Sequence, residues 1–561
     1  MKPCMGLAWA VLTLFAQFGW CDDSPTFVDL SLMVNESYPC TWPEDFPPVQ
    51  IKHFRRIGRA SAYNVDILTV DGNTGTQIDV PPHSIPRPES GLPGADPLGD
   101  MFTDKVPAWQ LCGEACVIDV QNLLNKAPDG HSPLIGTDRV QQWEQQHRRL
   151  GAGDVVLMRS GYTDRYYRPF PEGRRFLADP LANMAPAWPG PDPPCMDALG
   201  KQGVKHVGLD SPSIGPRPNL GEPTHLAGLK HGMIFTEGAT GLQTLPPTGA
   251  LYCSMGPRYT QAPYGEARAF AIMPGPLSQR LIKSAREHHA VDLSVVLSPD
   301  LPVVSPGIGI GNHRHPFIKV DFAYAKGTGA YHHTHMMDSH VGTHLVPPAY
   351  ALPSPGFSND EYSPEVQAWL AEYEREFGPR GTSDTTTEQV PIQQTCGPAR
   401  VIDVRHLVGS TQPKSWPQSP AITMADIARA EQQQGPLKAG EVVIFHTGHV
   451  DRHFRPLPEG SGCWKDPLNG RAEGWPAPGP EVIAGLAAKG IRCVATDAPT
   501  LGGVDPRRAL MTYWILGTKG MVGVEFLTQV GQIPKNAYFL FAPIKIQGCH
   551  GGPGRAIALF D

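Results

Sequence analysis

The chain has 561 residues, enough for at least two domains that each bury a core. Gly and Pro reach 60 each beside an apolar fraction of 40%, which describes a folded, loop-rich protein and excludes a disordered one. A formal charge of -7 with no long basic block gives no footprint for a phosphate backbone, so the expected partner is a small molecule and not nucleic acid.

Taken in order, residues 1 to 21 carry Lys2, an apolar run from Met5 to Trp20 and then Cys-Asp-Asp-Ser, the layout of a secretory signal peptide. Export to a periplasmic or extracellular space is the expectation. An acylated Cys21 is the weaker alternative, because Trp20 is a poor residue before a cut. No later stretch reaches the ~20 apolar residues of a membrane span. Eleven cysteines leave two readings open for Cys112, Cys116 and Cys396: a disulfide, or buried structural thiols.

From there the chain reads as one unit written twice, residues 24 to 275 and 288 to 561. Val28-Asp-Leu-Ser31 returns as Val291-Asp-Leu-Ser294, and Gly113-Glu-Ala-Cys-Val-Ile-Asp-Val120 as Gly397-Pro-Ala-Arg-Val-Ile-Asp-Val404. Ala152 to Arg165 answers Ala439 to Arg452, Asp210-Ser-Pro-Ser213 answers Asp497-Ala-Pro-Thr500, and Gly265-Glu-Ala-Arg268 answers Gly552-Pro-Gly-Arg555. The offset grows along the chain, so insertions lie in loops. Within each unit, β-branched runs such as 117–120, 154–157 and 204–209 predict strands. Helices are predicted around 137–150 and 193–202, with counterparts at 423–434 and 480–489. The fold class is α/β, with a mixed sheet and flanking helices. A helical link is expected between Pro274 and Ala290.

The chemistry concentrates in one repeated stretch. Asn73-Thr-Gly-Thr-Gln77-Ile-Asp79-Val-Pro-Pro-His83 recurs as His340-Val-Gly-Thr-His344-Leu-Val346-Pro-Pro-Ala-Tyr350. Merged, they read H-x-G-T-H-x-D-x-P-P-H, with imidazoles and a carboxylate around a Gly-Thr turn. Such donors suit zinc or manganese. Further on, His225 and Glu237 stand twelve residues apart, and Tyr513 and Glu525 occupy the matching places.

This motif resembles the signature of the cyclase-like metal-dependent hydrolases, the group that includes bacterial kynurenine formamidase and isatin hydrolase. The resemblance covers nearly the whole chain, once per half. It implies a divalent metal, zinc or manganese, held in the first half by Asp79, His225 and Glu237. His83 would be the acid-base residue, Trp42 an aromatic beside the substrate, and Asn73 and Gln77 weak amide-oxygen ligands. In the second half it implies His340, His344 and Glu525 as ligands, without the bridging carboxylate or the proton shuttle, so metal binding there is expected without turnover. His335 or Asp338 could serve a rearranged site. The implied reaction is hydrolysis of an amide, formamide, lactam or ester. The rival is a degenerate member that binds a small ligand or metal without turnover, and a third reading joins Asp79 and His83 with His340 and His344 in one composite centre. The two halves would form inside one chain what relatives form as a dimer, with further oligomerisation open.

Blander roles are expected elsewhere. His446, His449 and His453 read as solvent-facing or rim histidines, because their repeat partners Arg159, Tyr162 and Tyr166 are not typical ligands. Asp210 and Asp497 read as structural caps. No nucleophile elbow or P-loop is present, which sets aside serine hydrolase and nucleotide-binding readings.

Overall fold

The computed structural model describes residues 25–43, 47–304, 317–323 and 331–561. The expected signal peptide lies outside the described residues.

Each half is built on one mixed sheet. In the first half, Cys112–Asp119, Asp154–Arg159, His206–Leu209 and Ile234–Glu237 run parallel, side by side. These strands are buried almost throughout, as strands covered on both faces must be. Antiparallel strands complete the sheet: Gln77–Asp79 pairs with Ile234–Glu237 and with Tyr264–Glu266, while Leu251–Met255 pairs with Cys112–Asp119 and with Arg268–Ile272. Tyr264–Glu266 and Arg268–Ile272 are one stretch of chain interrupted at Ala267, so the two ends of the sheet meet. The second half repeats the order with Cys396–Asp403, Val442–His446, Cys493–Thr496, Val522–Glu525 and His344–Val346. It closes where Gly552–Leu559 pairs with both His344–Val346 and Tyr538–Pro543. Closure removes sheet edges that would otherwise pair with other chains.

The predicted helices are present as Thr137–Gln146, Pro193–Lys201, Met424–Gln434 and Pro480–Ala488. Asp192 caps the second of these by accepting from the Cys195 N–H at 2.8 Å. Val140, Trp143, Met196 and Leu199 bury the inner faces of the first two against Val156, Val207 and Phe235. The link between the halves is a helix, Pro276–Arg286.

The repeated blocks turn out to be staples. Arg268 donates through Nε and Nη2 to the two oxygens of Asp29 at 3.0 and 2.9 Å, and Arg555 donates through the same two nitrogens to Asp292 Oδ2 at 3.0 and 2.5 Å. Asp210 accepts from the N–H groups of Ser160 and Gly161, both at 2.7 Å, and Asp497 from those of Thr447 and Gly448 at 2.6 and 3.0 Å. The expected cap role of both aspartates is therefore met. All nine described cysteines are buried free thiols, Cys112, Cys116 and Cys396 among them.

One feature was not legible in the sequence. A four-stranded antiparallel sheet joins the halves, in the order Ile318–Ala323, Tyr331–Asp338, Val65–Asp71, Gln50–Arg55. Its central pairing sets Thr334 opposite Asp71 and Asp338 opposite Ile67. Beside it, Leu68, Val70, Met337, Leu297, Ile544 and Ile546 form one core drawn from both halves.

Candidate metal centre

The Gly-Thr turn is a positioning device in both halves. Gly75 and Gly342 sit at φ 68° and 54°, where a side chain would strain the backbone. Thr76 Oγ1 donates to the Gly238 carbonyl at 2.7 Å and accepts from the Leu32 N–H at 2.9 Å. Thr343 Oγ1 likewise donates to Phe526 O at 2.8 Å and accepts from Val295 N–H at 3.0 Å. The short strand that follows each turn is thereby locked beside the strand carrying Glu237 or Glu525.

In the first half, Asp79, His225 and Glu237 converge. His225 Nε2 lies 3.5 Å from Asp79 Oδ2 and 3.3 Å from Glu237 Oε1. His225 rides on the helix Gly221–Leu229, and its Nδ1–H donates to the Gly221 carbonyl at 2.8 Å. That bond turns the Nε2 lone pair toward the two carboxylates. Glu237 Oε1 is held by Ser213 Oγ at 3.1 Å and the Ile214 N–H at 2.6 Å. Asp79 Oδ2 is buried with no hydrogen-bond partner. Three electron-pair donors thus face one point, which calls for a proton or a cation between them.

Electrostatics agree. Burial, then the charge of Glu237, pushes Asp79 up to about 7. Burial acts to lower His225, but the two facing carboxylates, Asp79 and Glu237, together hold it well above its ordinary value. His83 stacks on His225, with ring centroids 4.6 Å apart and planes 9° from parallel. Burial and the neighbouring His225 charge drive His83 well below its ordinary value, which favours the neutral ring. Among the described residues, Asp79, His83 and His225 form one of two sets of three metal-donor side chains whose atoms lie close together; His53, Asp66 and His550 form the other.

Two expected ligands behave differently. Gln77 presents its amide nitrogen, not its oxygen, to the carboxylates: Nε2 donates to Asp79 Oδ1 at 3.2 Å and to Glu237 Oε2 at 2.9 Å. Asn73 Oδ1 faces that same nitrogen at 3.1 Å, while its own Nδ2 donates to Asp71 Oδ1 at 3.2 Å. Neither amide oxygen is placed as a ligand, because the neighbouring carboxylates accept only. Trp42 lines a cleft with Asn73 and Gln77, and its ring meets Trp188 edge-on at 6.0 Å.

The second half has kept the frame and changed the donors. His344 Nε2 lies 3.3 Å from Glu525 Oε2, and its Nδ1–H donates to Gly342 O at 2.8 Å. Glu525 Oε1 accepts from the Leu501 N–H and from the Tyr513 hydroxyl, both at 2.6 Å. Tyr513 therefore satisfies Glu525 Oε1 by a hydrogen bond where the first half sets His225 Nε2 beside Glu237 Oε1. Val346 offers no donor. His340 sits with its ring centroid 5.2 Å from His344 and 4.4 Å from Tyr350, and its Nε2 is buried without a partner. The first half reaches into this pocket: Tyr63 stacks on Tyr350 at 4.8 Å, and the Asn64 N–H donates to the Tyr350 carbonyl at 2.8 Å.

Other expectations are revised. His340 and His344 keep company with Ser339, Tyr350 and Glu525, and Asp79 with Gln77, His225 and Glu237, so among the described residues the four do not gather as the composite centre. His335 lies face to face with Tyr259 at 3.9 Å, between the halves, while Asp338 Oδ1 caps the turn by accepting from His340 N–H at 2.8 Å. His446 and His449 are buried, not solvent-facing; His449 Nε2 bonds the Cys463 carbonyl at 3.0 Å in the place that Tyr162 fills in the first half. Aromatic positions in a packed repeat can be filled by imidazole when a carbonyl is in reach, which the missing ligand neighbours could not reveal.

The Cyclase family model matches residues 28–216 and 291–502. Among curated proteins, the chain is 29% identical over 184 residues to isatin hydrolase from Roseibium aggregatum, covering 32% of this chain and 64% of that protein. It is 30% identical over 176 residues to kynurenine formamidase from Salinibacter ruber, covering 30% of this chain and 66% of that one. The chain thus spans just under two thirds of the length of each. A solved isatin hydrolase A from Labrenzia aggregata aligns at 20% identity, covering 45% of this chain and 94% of that structure, with a TM-score of 0.38.

Proposed function

This chain belongs to the Cyclase family, matched once in each half, and on that premise we propose that it is a metal-dependent hydrolase of an amide, formamide, lactam or ester, working through its first half. The observation that carries the reading is the convergence of Asp79 Oδ2, His225 Nε2 and Glu237 Oε1 on one point, with the aspartate oxygen left without a hydrogen bond. Those three residues would hold the divalent ion, zinc or manganese by the softness of an imidazole and the hardness of two carboxylates. Such an ion supplies Lewis acidity, lowering the pKa of water from 15.7 to about 7 and polarising a carbonyl.

The rest falls to the chain itself. His83, neutral and stacked on His225, takes a proton from the attacking water and returns it to the leaving amine or alcohol. Ser213 and the Ile214 N–H hold Glu237 in place as the charge distribution changes. Trp42, beside the amide pair at this centre, would lie against the flat part of a substrate. The second half does not turn over in this reading, since Val346 and Tyr350 replace the carboxylate and the shuttle. The two halves stand in for two subunits, joined by their shared sheet.

One observation favours a second reading, a family member that binds without turnover: the Gln77 amide already satisfies one oxygen of each carboxylate. The full chain, loaded with zinc or manganese and assayed on an aryl formamide, an aryl lactam such as isatin and an aryl ester, separates the two. Hydrolysis that His83→Ala removes supports the enzyme; no hydrolysis of any of the three, with metal bound, supports the binder.

A further inference from the structure

Gln77 stands where the motif calls for an imidazole, and its amide nitrogen faces three acceptors. Asp71 Oδ1 accepts from the N–H and the Nδ2 of Asn73 at 3.0 and 3.2 Å, which turns Asn73 Oδ1 toward Gln77. That oxygen and two carboxylate oxygens, Asp79 Oδ1 and Glu237 Oε2, then surround Gln77 Nε2 at 3.1, 3.2 and 2.9 Å. All three accept and none donates to it, so an amide oxygen has no place there and the NH2 is the end that fits. Its two hydrogens carry partial positive charge into the space between Asp79 and Glu237. Each carboxylate consequently has one oxygen committed to Gln77 and the other turned toward His225.

We propose that the Gln77 amide is a built-in substitute for a cation between Asp79 and Glu237, so that the first half takes a single ion, on its His225 side, and excludes a second. This rests on reading the first half as a metal-dependent hydrolase. The second half carries the same exchange further. There Glu525 Oε1 is filled by the Tyr513 hydroxyl and the Leu501 N–H, and Val346 has removed the bridging carboxylate altogether. A fixed donor has replaced the ion on one side of the first centre and at the core of the second. The whole chain accordingly takes one ion.

The test uses the full chain, stripped with a chelator and titrated with zinc or manganese alone, counting ions by elemental analysis and following the melting temperature. Wild type should take one ion per chain. Asn73→His/Gln77→His should take one more. Gln77→Leu, which leaves two buried carboxylate oxygens without a donor, should melt on the order of 5 °C lower when metal-free and recover more than wild type does when metal is added. Two ions or none in wild type overturns the proposal, and so does a folded double variant with no added ion. Should the double variant fail to fold, Gln77→Leu decides alone: metal-free melting equal to wild type overturns the proposal. One ion without hydrolysis removes the hydrolase reading and leaves the substitution standing, whereas two ions with hydrolysis does the reverse.

Discussion

The two halves differ least where they are tied together and most where they could do chemistry. Both keep the positive-φ glycine and the threonine that bridges two segments, and both keep the arginine-aspartate pair and the aspartate that gathers N–H groups after a parallel strand. Each of these satisfies buried backbone or charge, and losing one would expose an unpaired group at a cost of about 1–3 kcal/mol. The donors around the centre are under no such constraint. His225 becomes Tyr513 and Asp79 becomes Val346, and the fold closes over either set. The comparison teaches that the repeat records a scaffold, and that function must be read from the few positions at which the halves disagree.

That comparison can be broken most sharply at Asp79 and His225. Asp79→Ala or His225→Ala should abolish metal binding and bring hydrolysis to background, measured by elemental analysis and turnover of whichever substrate is found; activity kept in either variant would end the distinction between the halves. Next, His83→Ala should retain the ion and lose about 10²- to 10⁴-fold in kcat, while Tyr350→His in the second half should create no activity, because the carboxylate is still missing there.

A smaller effect concerns the seam between the halves. Buried Asp66 accepts from His53 Nδ1 at 2.8 Å, Arg56 at 3.3 Å, His550 N–H at 2.7 Å and His550 Nδ1 at 3.0 Å. Burial acts to raise it, but the His550 and His53 hydrogen bonds hold it well below the carboxylate range. A carboxylate depressed in the folded state contributes stability above its unfolded pKa of roughly 4, and that contribution is lost as pH falls toward the folded value. Asp66→Asn should therefore cost about 2 kcal/mol at neutral pH, and the gap to wild type should shrink on acidification in denaturant titrations. The least effect is expected at Tyr513→Phe, which leaves Glu525 Oε1 with only the Leu501 N–H. It should cost about 1–2 kcal/mol of stability and leave hydrolysis unchanged.

The sequence made the strands and helices legible because apolar runs and caps act locally. Thr137–Gln146 and Pro193–Lys201 lie within a few residues of where their patterns place them. Sheet closure and the inter-half sheet depend on strands far apart in the chain, such as Val65–Asp71 against Tyr331–Asp338, and nothing local in either strand names its partner. The same limit applies to the centre. The family resemblance put Asp79, His225 and Glu237 in one set, and they meet. Which end of the Gln77 amide faces them follows only from the acceptors around it, including Asp71, which the spacing never singled out. His449 was misread because a histidine in a packed aromatic position looks, in sequence, like one facing water.

The most direct measurement is the metal content per chain of wild type, His225→Ala and His344→Ala after identical loading with zinc or manganese. One ion in wild type and in His344→Ala, and none in His225→Ala, is the expected result and places the working centre in the first half. An ion that survives His225→Ala and disappears in His344→Ala would contradict it.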